Sequence, residues 1–472
     1  MESMKILLVE DEDWSVEQAT EVLTNADPAA EIVVAWYRDD ALMQIRDNDF
    51  DLIICDLRLP PIANSADVNE QHGLAVHGLA RELCPGTPLT FLTGYPVSRD
   101  TMDKLSLGEV DTLFGLPGEA LVRLVNKDDM HALEALVSRY ASALQNLDSC
   151  CAVAGGELLD PLLARAVRIY ALASGHDSAR VEFASGLSGA LVGRVLLESA
   201  TSPPARVFLK VLPSAAARDE FDRCNRLVAN RIPIGNFAPA LAPIHSGLRK
   251  MSALVSPLAS ASFRSLFELA RTDVTKAAEV ISELRHATKD WFSSTVEEPV
   301  MLGDLRRQRI SDERIQNLVD WDRFRLFELA GVRMAKGIVH GDLHGENVLV
   351  DAVGRPVLID FGDVGIGFAP TDPVTLELSL IYHKDGPARD PDLGASINWA
   401  DWLNVEVCYE SSSLQPLAVE CRAWAEEVAD LHSIAAFAYA HSMRQLKYPD
   451  VPHAVAMEIA AACGAFLEAP AG

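Results

Sequence analysis

The stretch His340-Gly341-Asp342-Leu343-His344-Gly345-Glu346-Asn347 constrains the fold of this chain more than any other feature, because a hairpin signal and a second acidic cluster come immediately after it. The apolar run Val348-Leu349-Val350, the turn signal Gly354-Arg355-Pro356 and the run Val357-Leu358-Ile359 read as a β-hairpin, and Asp360-Phe361-Gly362-Asp363 comes directly after. A hairpin of that register brings Asn347 and Asp360, which bracket it, to the same end. Asp342, in the loop ahead of the first strand, is then a carboxylate able to orient and deprotonate a hydroxyl. Asn347 and Asp360 are an amide and a carboxylate suited to holding magnesium on nucleotide phosphates. A loop aspartate that merely caps a turn accounts for Asp342 alone, but not for the three together.

The pattern H-G-D-L-H-x-x-N followed by I-D-F resembles the aminoglycoside phosphotransferase and choline kinase branch of the protein-kinase-like fold. The resemblance implies a two-lobed α+β domain that uses ATP and Mg2+, with Asp342 catalytic and Asn347 and Asp360 as metal ligands. Such a domain needs a nucleotide-binding lobe upstream. Ser185-Gly186-Leu187-Ser188-Gly189-Ala190 lies between β-prone segments, where glycines let backbone N–H groups approach phosphate, so Ser188 and Gly189 are nucleotide-binding candidates. Lys210, inside the apolar run Val207 to Leu212, is costly to bury unless paired, and Glu220 comes ten residues later on a helical stretch that begins near Ala215. Ser256-Pro257-Leu258 sits where the resemblance expects backbone contact with adenine. His340 and His344 read as loop-packing residues.

The N-terminal part carries a second pattern. Lys5-Ile6-Leu7-Leu8-Val9 reads as a strand buried on both faces and ends in Glu10-Asp11; Asp51-Leu52-Ile53-Ile54-Cys55 does the same and ends in Asp56. In an open, doubly wound parallel sheet the functional groups gather at the C-terminal ends of the strands, so these carboxylates are expected to converge. Their charges require a cation, and oxygen ligands suit magnesium, with one carboxylate left as a nucleophile.

This region resembles a response-regulator receiver domain, of flavodoxin-like fold. The resemblance implies Glu10, Asp11 and Asp56 as metal ligands, Asp56 as phosphoacceptor, and Thr93 and Lys127 as switch residues. It also implies a sensor histidine kinase or other phosphodonor as partner, and it admits a homodimer through the receiver. Two departures stand out: an extended loop from Pro60 to Ser65, and a long segment from Thr93 to Lys127 that contains Gly115-Leu116-Pro117-Gly118.

A chain of 472 residues with 49% hydrophobic composition is too long for one core and rich enough for two. The expected organisation is an α/β receiver over 1–147, a helical linker over 148–179, a kinase-like N-lobe over 180–260 and a C-lobe over 261–472. Within the linker, 158–172 reads as an amphipathic helix. A net charge of −27 repels nucleic acid. No long apolar segment or signal peptide is evident, so a cytoplasmic protein without membrane association is expected. Eight cysteines show no metal-type spacing.

These readings combine into a two-component signalling protein in which a receiver aspartate regulates an ATP-dependent phosphotransferase whose acceptor, small molecule or protein, is open. The alternative is a nucleotide-binding pseudokinase scaffold that reports receiver state to a partner.

Overall fold

The computed structural model describes residues 3–97, 101–102, 105, 110–155, 159–185, 190–258, 262–292 and 296–468. The chain divides into two compact units, Met1–Phe221 with Ala240–Leu258, and Asp222–Pro239 with Ala259–Gly472.

The first unit opens on a five-stranded parallel sheet made of β1 (Lys5–Val9), β2 (Glu31–Ala35), β3 (Leu52–Asp56), β4 (Leu89–Thr93) and, after a hairpin of β5 (Val110–Leu113) and β6 (Leu116–Ala120), β7 (Val122–Asn126). Their order is β2-β1-β3-β4-β7, the flavodoxin-like doubly wound order. Both faces of the sheet are covered, which explains why Ile6-Leu7-Leu8-Val9 in β1 and Leu52-Ile53-Ile54-Cys55 in β3 are continuous apolar runs. Leu7, Val9, Ile53 and Cys55 enter a core closed by Ala41, Ile45, Val76 and Ala80, from helices Arg38–Asp47 and Glu70–Leu83. Ile6, Leu8, Leu52 and Ile54 enter a second core with Ala19, Leu23, Leu133 and Tyr140, from helices Asp13–Ala26 and Met130–Cys150. The Gly115-Leu116-Pro117-Gly118 departure is the β5–β6 hairpin, whose turn takes positive φ at Phe114 and Gly115.

The same unit holds a second five-stranded sheet, ordered β12-β11-β10-β9-β8, from β8 (Ala152–Ala154), β9 (Ser178–Ser185), β10 (Leu191–Glu198), β11 (Ala205–Pro213) and β12 (Met251–Leu258). The segment expected to be a purely helical linker therefore supplies an edge strand, β8, parallel to β9. It also supplies helix Pro161–Ala173, capped by the Asp160 side chain, and this helix packs Leu163, Val167 and Ile169 into the core of the sheet. Residue 158, the expected start of that helix, lies outside the described residues.

The two sheets of this unit are joined around Asp51, which is buried. Arg249 grips it with Nε and Nη2 at 2.9 Å each, Arg165 reaches its Oδ1 at 2.7 Å, and the Lys5 backbone N–H donates to its Oδ2 at 3.0 Å. Burial alone would raise the Asp51 pKa; the Arg165 charge and the Arg249 hydrogen bond and charge outweigh it and hold the carboxyl below its ordinary value. Around this clamp Gly247 N–H donates to Gly86 O at 3.2 Å, Lys250 Nζ to Arg46 O at 2.7 Å, and Ser246 Oγ to Asp111.

The second unit is mainly helical around two three-stranded sheets. One is ordered β13-β16-β17, from β13 (Phe263–Ser265), β16 (Val348–Asp351) and β17 (Pro356–Leu358); the other is ordered β14-β15-β18, from β14 (Val296–Met301), β15 (Gly331–Val339) and β18 (Gly365–Phe368). Its longer C-terminal helices are Thr371–Tyr382, Gln415–Val428, Leu431–Gln445 and His453–Glu468. The connection between the first two of these contains two short helical turns, Pro387–Arg389 and Pro391–Gly394, each started by a proline whose missing N–H costs nothing there. Buried bidentate pairs, Arg306 with Glu328 and Arg422 with Glu377, fasten this unit internally.

Candidate functional site

In the first unit, Glu10, Asp11 and Asp56 stand at the C-terminal ends of β1 and β3, with one oxygen from each lying within 4.8 Å of the others. Lys127, just beyond β7, sends Nζ to Asp56 Oδ2 at 2.6 Å and to Glu10 Oε2 at 2.8 Å. Burial and the Asp56 charge raise the Glu10 pKa; the same two causes raise that of Asp11. Burial opposes the Lys127 charge, but the Asp56 and Glu10 carboxylates outweigh it and raise its pKa. Three carboxylates against one ammonium is an oxygen-rich set that keeps a net negative charge. That chemistry fits a hard divalent cation.

Thr93 ends β4 and is buried; its Oγ1 donates to Tyr95 O at 2.9 Å and accepts from Tyr95 N–H at 3.2 Å. The Lys127 backbone N–H donates to Thr93 O at 3.0 Å, so the two residues expected to act as switches are linked through the main chain. Helix Glu70–Leu83 comes so close to this end of β3 that any side chain at Gly73 would collide with the Asp56 and Leu57 backbone.

Also in this unit, Lys210 in β11 pairs with Glu220 on helix Ser214–Arg223 at 2.8 Å, both side chains buried. The register places Lys210 opposite Val192 and Leu254, so the pair stands in an apolar wall. Ser256-Pro257-Leu258 closes β12. Ser188 and Gly189, the expected phosphate-covering residues, lie outside the described residues.

In the second unit, β16 and β17 pair antiparallel with Val348 opposite Leu358 and Val350 opposite Pro356. Ile359 N–H donates to Asn347 O at 3.1 Å, which brings Asn347 next to the residue before Asp360. Asn347 is buried, and its Nδ2 donates to Asp342 O at 2.9 Å, tying the loop that presents Asp342. The Asp342 side chain is 52% exposed, open to an incoming group. Asp360 takes φ 62°, a left-handed conformation that a non-glycine residue adopts at a cost of order 1 kcal/mol or more and that is concentrated at functional sites.

Sequence reasoning passed over the residue that holds this loop. Asp372, fully buried at the start of helix Thr371–Tyr382, accepts from His340 N–H at 2.7 Å and from Gly341 N–H at 3.1 Å. Burial raises its pKa against the pull of His340 and the two backbone donors. Gly341 sits at φ 85°, where a Cβ would press on Asp363. His340 Nε2 lies 3.0 Å from Ile359 O, and its ring lies 5.5 Å from Phe361. The Asp-Pro pair at 372–373 was the available signal, although nothing local reveals which backbone groups it serves.

The His344 ring lies tilted against that of His383 with centroids 4.7 Å apart, and its Nε2 is 3.9 Å from Asp342 Oδ2. Burial and then His340 push the His344 pKa down to about 4; burial and then His344 push that of His383 to about 4. Both imidazoles are neutral at pH 7.

Residues 188–407 match the phosphotransferase enzyme family. This phosphotransferase-type domain thus takes in Lys210, Glu220, Asp342, Asn347, Asp360 and Asp372. Solved structures similar to the N-terminal part include the receiver domain of the Francisella response regulator 1452, at 18% identity, covering 30% of this chain and 98% of that one with TM-score 0.22. Another is the signal receiver domain of an HD domain-containing protein from Pseudomonas fluorescens Pf-5, at 22% identity over 31% of this chain and 98% of that one, TM-score 0.23. A CheY-like receiver domain protein from Methanospirillum hungatei JF-1 has 20% identity over 31% of this chain and 99% of that one, TM-score 0.22. No curated protein matches the chain. The chain thus combines a parallel sheet of flavodoxin-like order, β2-β1-β3-β4-β7, with a segment over residues 188–407 that matches the phosphotransferase enzyme family.

Proposed function

We propose that this is a two-component signalling protein in which phosphorylation of Asp56, by a sensor histidine kinase or another phosphodonor, regulates an ATP- and magnesium-dependent phosphotransferase. Glu10, Asp11 and Asp56 would hold one magnesium ion, which shields the carboxylate charges as the phosphoryl group arrives. Lys127 meets the added charge, and Thr93 offers its hydroxyl to the phosphoryl oxygens. In the phosphotransferase-type domain Lys210, oriented by Glu220, would meet nucleotide phosphate, with Ser188 and Gly189 contributing to its cover. Asn347 and Asp360 would hold the magnesium ion, and Asp342 would take the proton of the acceptor hydroxyl. No helix among the described residues is long and apolar enough to cross a membrane.

The observation that carries the regulatory reading is the Asp51 clamp. It ties the sheet bearing Asp56 to the sheet bearing Lys210 through a buried, doubly paired carboxylate, so strain in one is felt in the other. The test is ATP turnover by the full-length protein with magnesium, before and after Asp56 is saturated with beryllium fluoride. A change of about 5–150-fold in turnover or nucleotide affinity is expected of a coupling of typical strength. Nucleotide binding without turnover in either state would instead support the scaffold reading.

A further inference from the structure

Two arginines of the second unit, Arg309 and Arg444, have no counter-ion among the described residues. Its fully buried arginines, Arg306 and Arg422, are each paired with a glutamate. Arg309, half-buried just after helix Leu302–Arg307, is not: among the described residues its guanidinium meets no carboxylate and no hydrogen-bond acceptor. Its Cζ instead lies 4.4 Å from the ring centroid of Phe437. In a chain of net charge −27, carboxylate partners are abundant, so this omission is informative.

Phe437 stands on helix Leu431–Gln445 with His441, Arg444 and Gln445, all spaced to share one helix face. The His441 imidazole is stacked with Phe437 at 5.8 Å and with Tyr382 at 5.9 Å. Gln445 Nε2 donates to His441 Nε2 at 2.9 Å, which leaves the neutral ring's proton on Nδ1, and Nδ1 is sealed with no acceptor. Arg444, half-buried, likewise forms no ion pair among the described residues. Burial and the Arg444 charge lower the Arg309 pKa to about 10; burial, Arg309 and Arg444 together push that of His441 well below its ordinary value. Every unsatisfied group here is thus a donor or a cation.

A partly desolvated guanidinium is ordinarily paired, and a cation–π contact offsets only part of its desolvation cost. The fork geometry of arginine matches the oxygens of phosphate and carboxylate. The geometry points to a binding site for an oxyanion of the phosphate or carboxylate class, held by Arg309 and Arg444 over the Phe437–His441–Tyr382 stack. The half-exposed guanidiniums take the ligand first, and the sealed His441 Nδ1–H is the further donor that an oxygen entering the stack would meet.

The test uses the unaltered full-length chain. Arginines are modified with phenylglyoxal in the presence of inorganic phosphate, of acetate, or of sodium chloride at equal ionic strength, and mapped by mass spectrometry. Phosphate, acetate or both should slow modification of Arg309 and Arg444 at least about tenfold in a saturable way, about 1.4 kcal/mol or more of binding. Exposed Arg325, which pairs with Asp322, should be unaffected. Protection by phosphate alone would identify a phosphate site, and protection by both a general oxyanion site. Protection by neither, or equal protection by chloride, overturns the proposal. Calorimetric titration of folded Arg309→Gln and Arg444→Gln should show the matching loss of affinity. Because modification is read at these two arginines and not as ATP turnover, the outcome is independent of the phosphotransferase reading.

Discussion

Asp51 and Asp56 flank one buried strand: the first is gripped by Arg165 and Arg249 at the N-terminal end of β3, and the second meets Lys127 at the C-terminal end. The five steps along the chain from Asp51 to Asp56 span about 17 Å of extended, fully buried backbone. The strand that ends in Asp56 is thus fastened, at its other end, to the sheet that carries Lys210.

Asp51→Ala should destabilise the first unit by about 3–5 kcal/mol in urea unfolding, because two guanidiniums are left buried without their carboxylate. A loss below about 1 kcal/mol, the level of an exposed pair, would show that Arg165 and Arg249 are adequately solvated without it. The same variant should lose the difference in turnover between free and beryllium fluoride-treated protein.

The clamp also has a defined pH dependence. The Asp51 pKa is lower in the folded than in the unfolded chain, so its contribution to stability is complete above about pH 4 and is lost as pH falls through the folded-state value. Acid unfolding followed by circular dichroism should have a component below pH 4 that is absent in Asp51→Asn.

Asp56→Asn should abolish incorporation of phosphoryl groups from acetyl phosphate in magnesium buffer, whereas the unaltered protein should take up one per chain. Incorporation at the unaltered rate would move the phosphoacceptor elsewhere. Lys127→Ala should retain some incorporation but lose the effect on turnover, since the added charge no longer draws the lysine.

Asp342→Asn and Asp372→Asn separate chemistry from positioning. The first should leave nucleotide binding intact and reduce transfer by about 10²–10⁴-fold, as expected for a general base. The second weakens the hold on the His340 and Gly341 N–H groups; it should cost about 1–3 kcal/mol of stability and lower kcat with little change in nucleotide affinity. Unchanged kcat in Asp372→Asn would show that the loop is held by His340 and Asn347 alone.

The local parts of this protein were legible in the sequence for a physical reason: each is set by short-range periodicity or spacing. Parallel strands buried on both faces produce the continuous apolar runs before Glu10 and Asp56, and a tight turn at Gly354-Arg355-Pro356 forces the β16–β17 hairpin that brings Asn347 toward Asp360. The lysine in β11 announced its need for a partner because an unpaired charge in an apolar strand is costly. What only the tertiary structure decided are pairings across long stretches of chain. Asp51 reads as an ordinary residue ahead of a strand until Arg165 and Arg249, 114 and 198 positions away, close on it. Asp372 reads as part of a helix start until it receives two N–H groups from a loop 31 and 32 residues earlier. Arg309 is unremarkable until folding desolvates it beside Arg444 and provides no carboxylate. Burial and charge complementarity are properties of the assembled surroundings, and no local pattern encodes them.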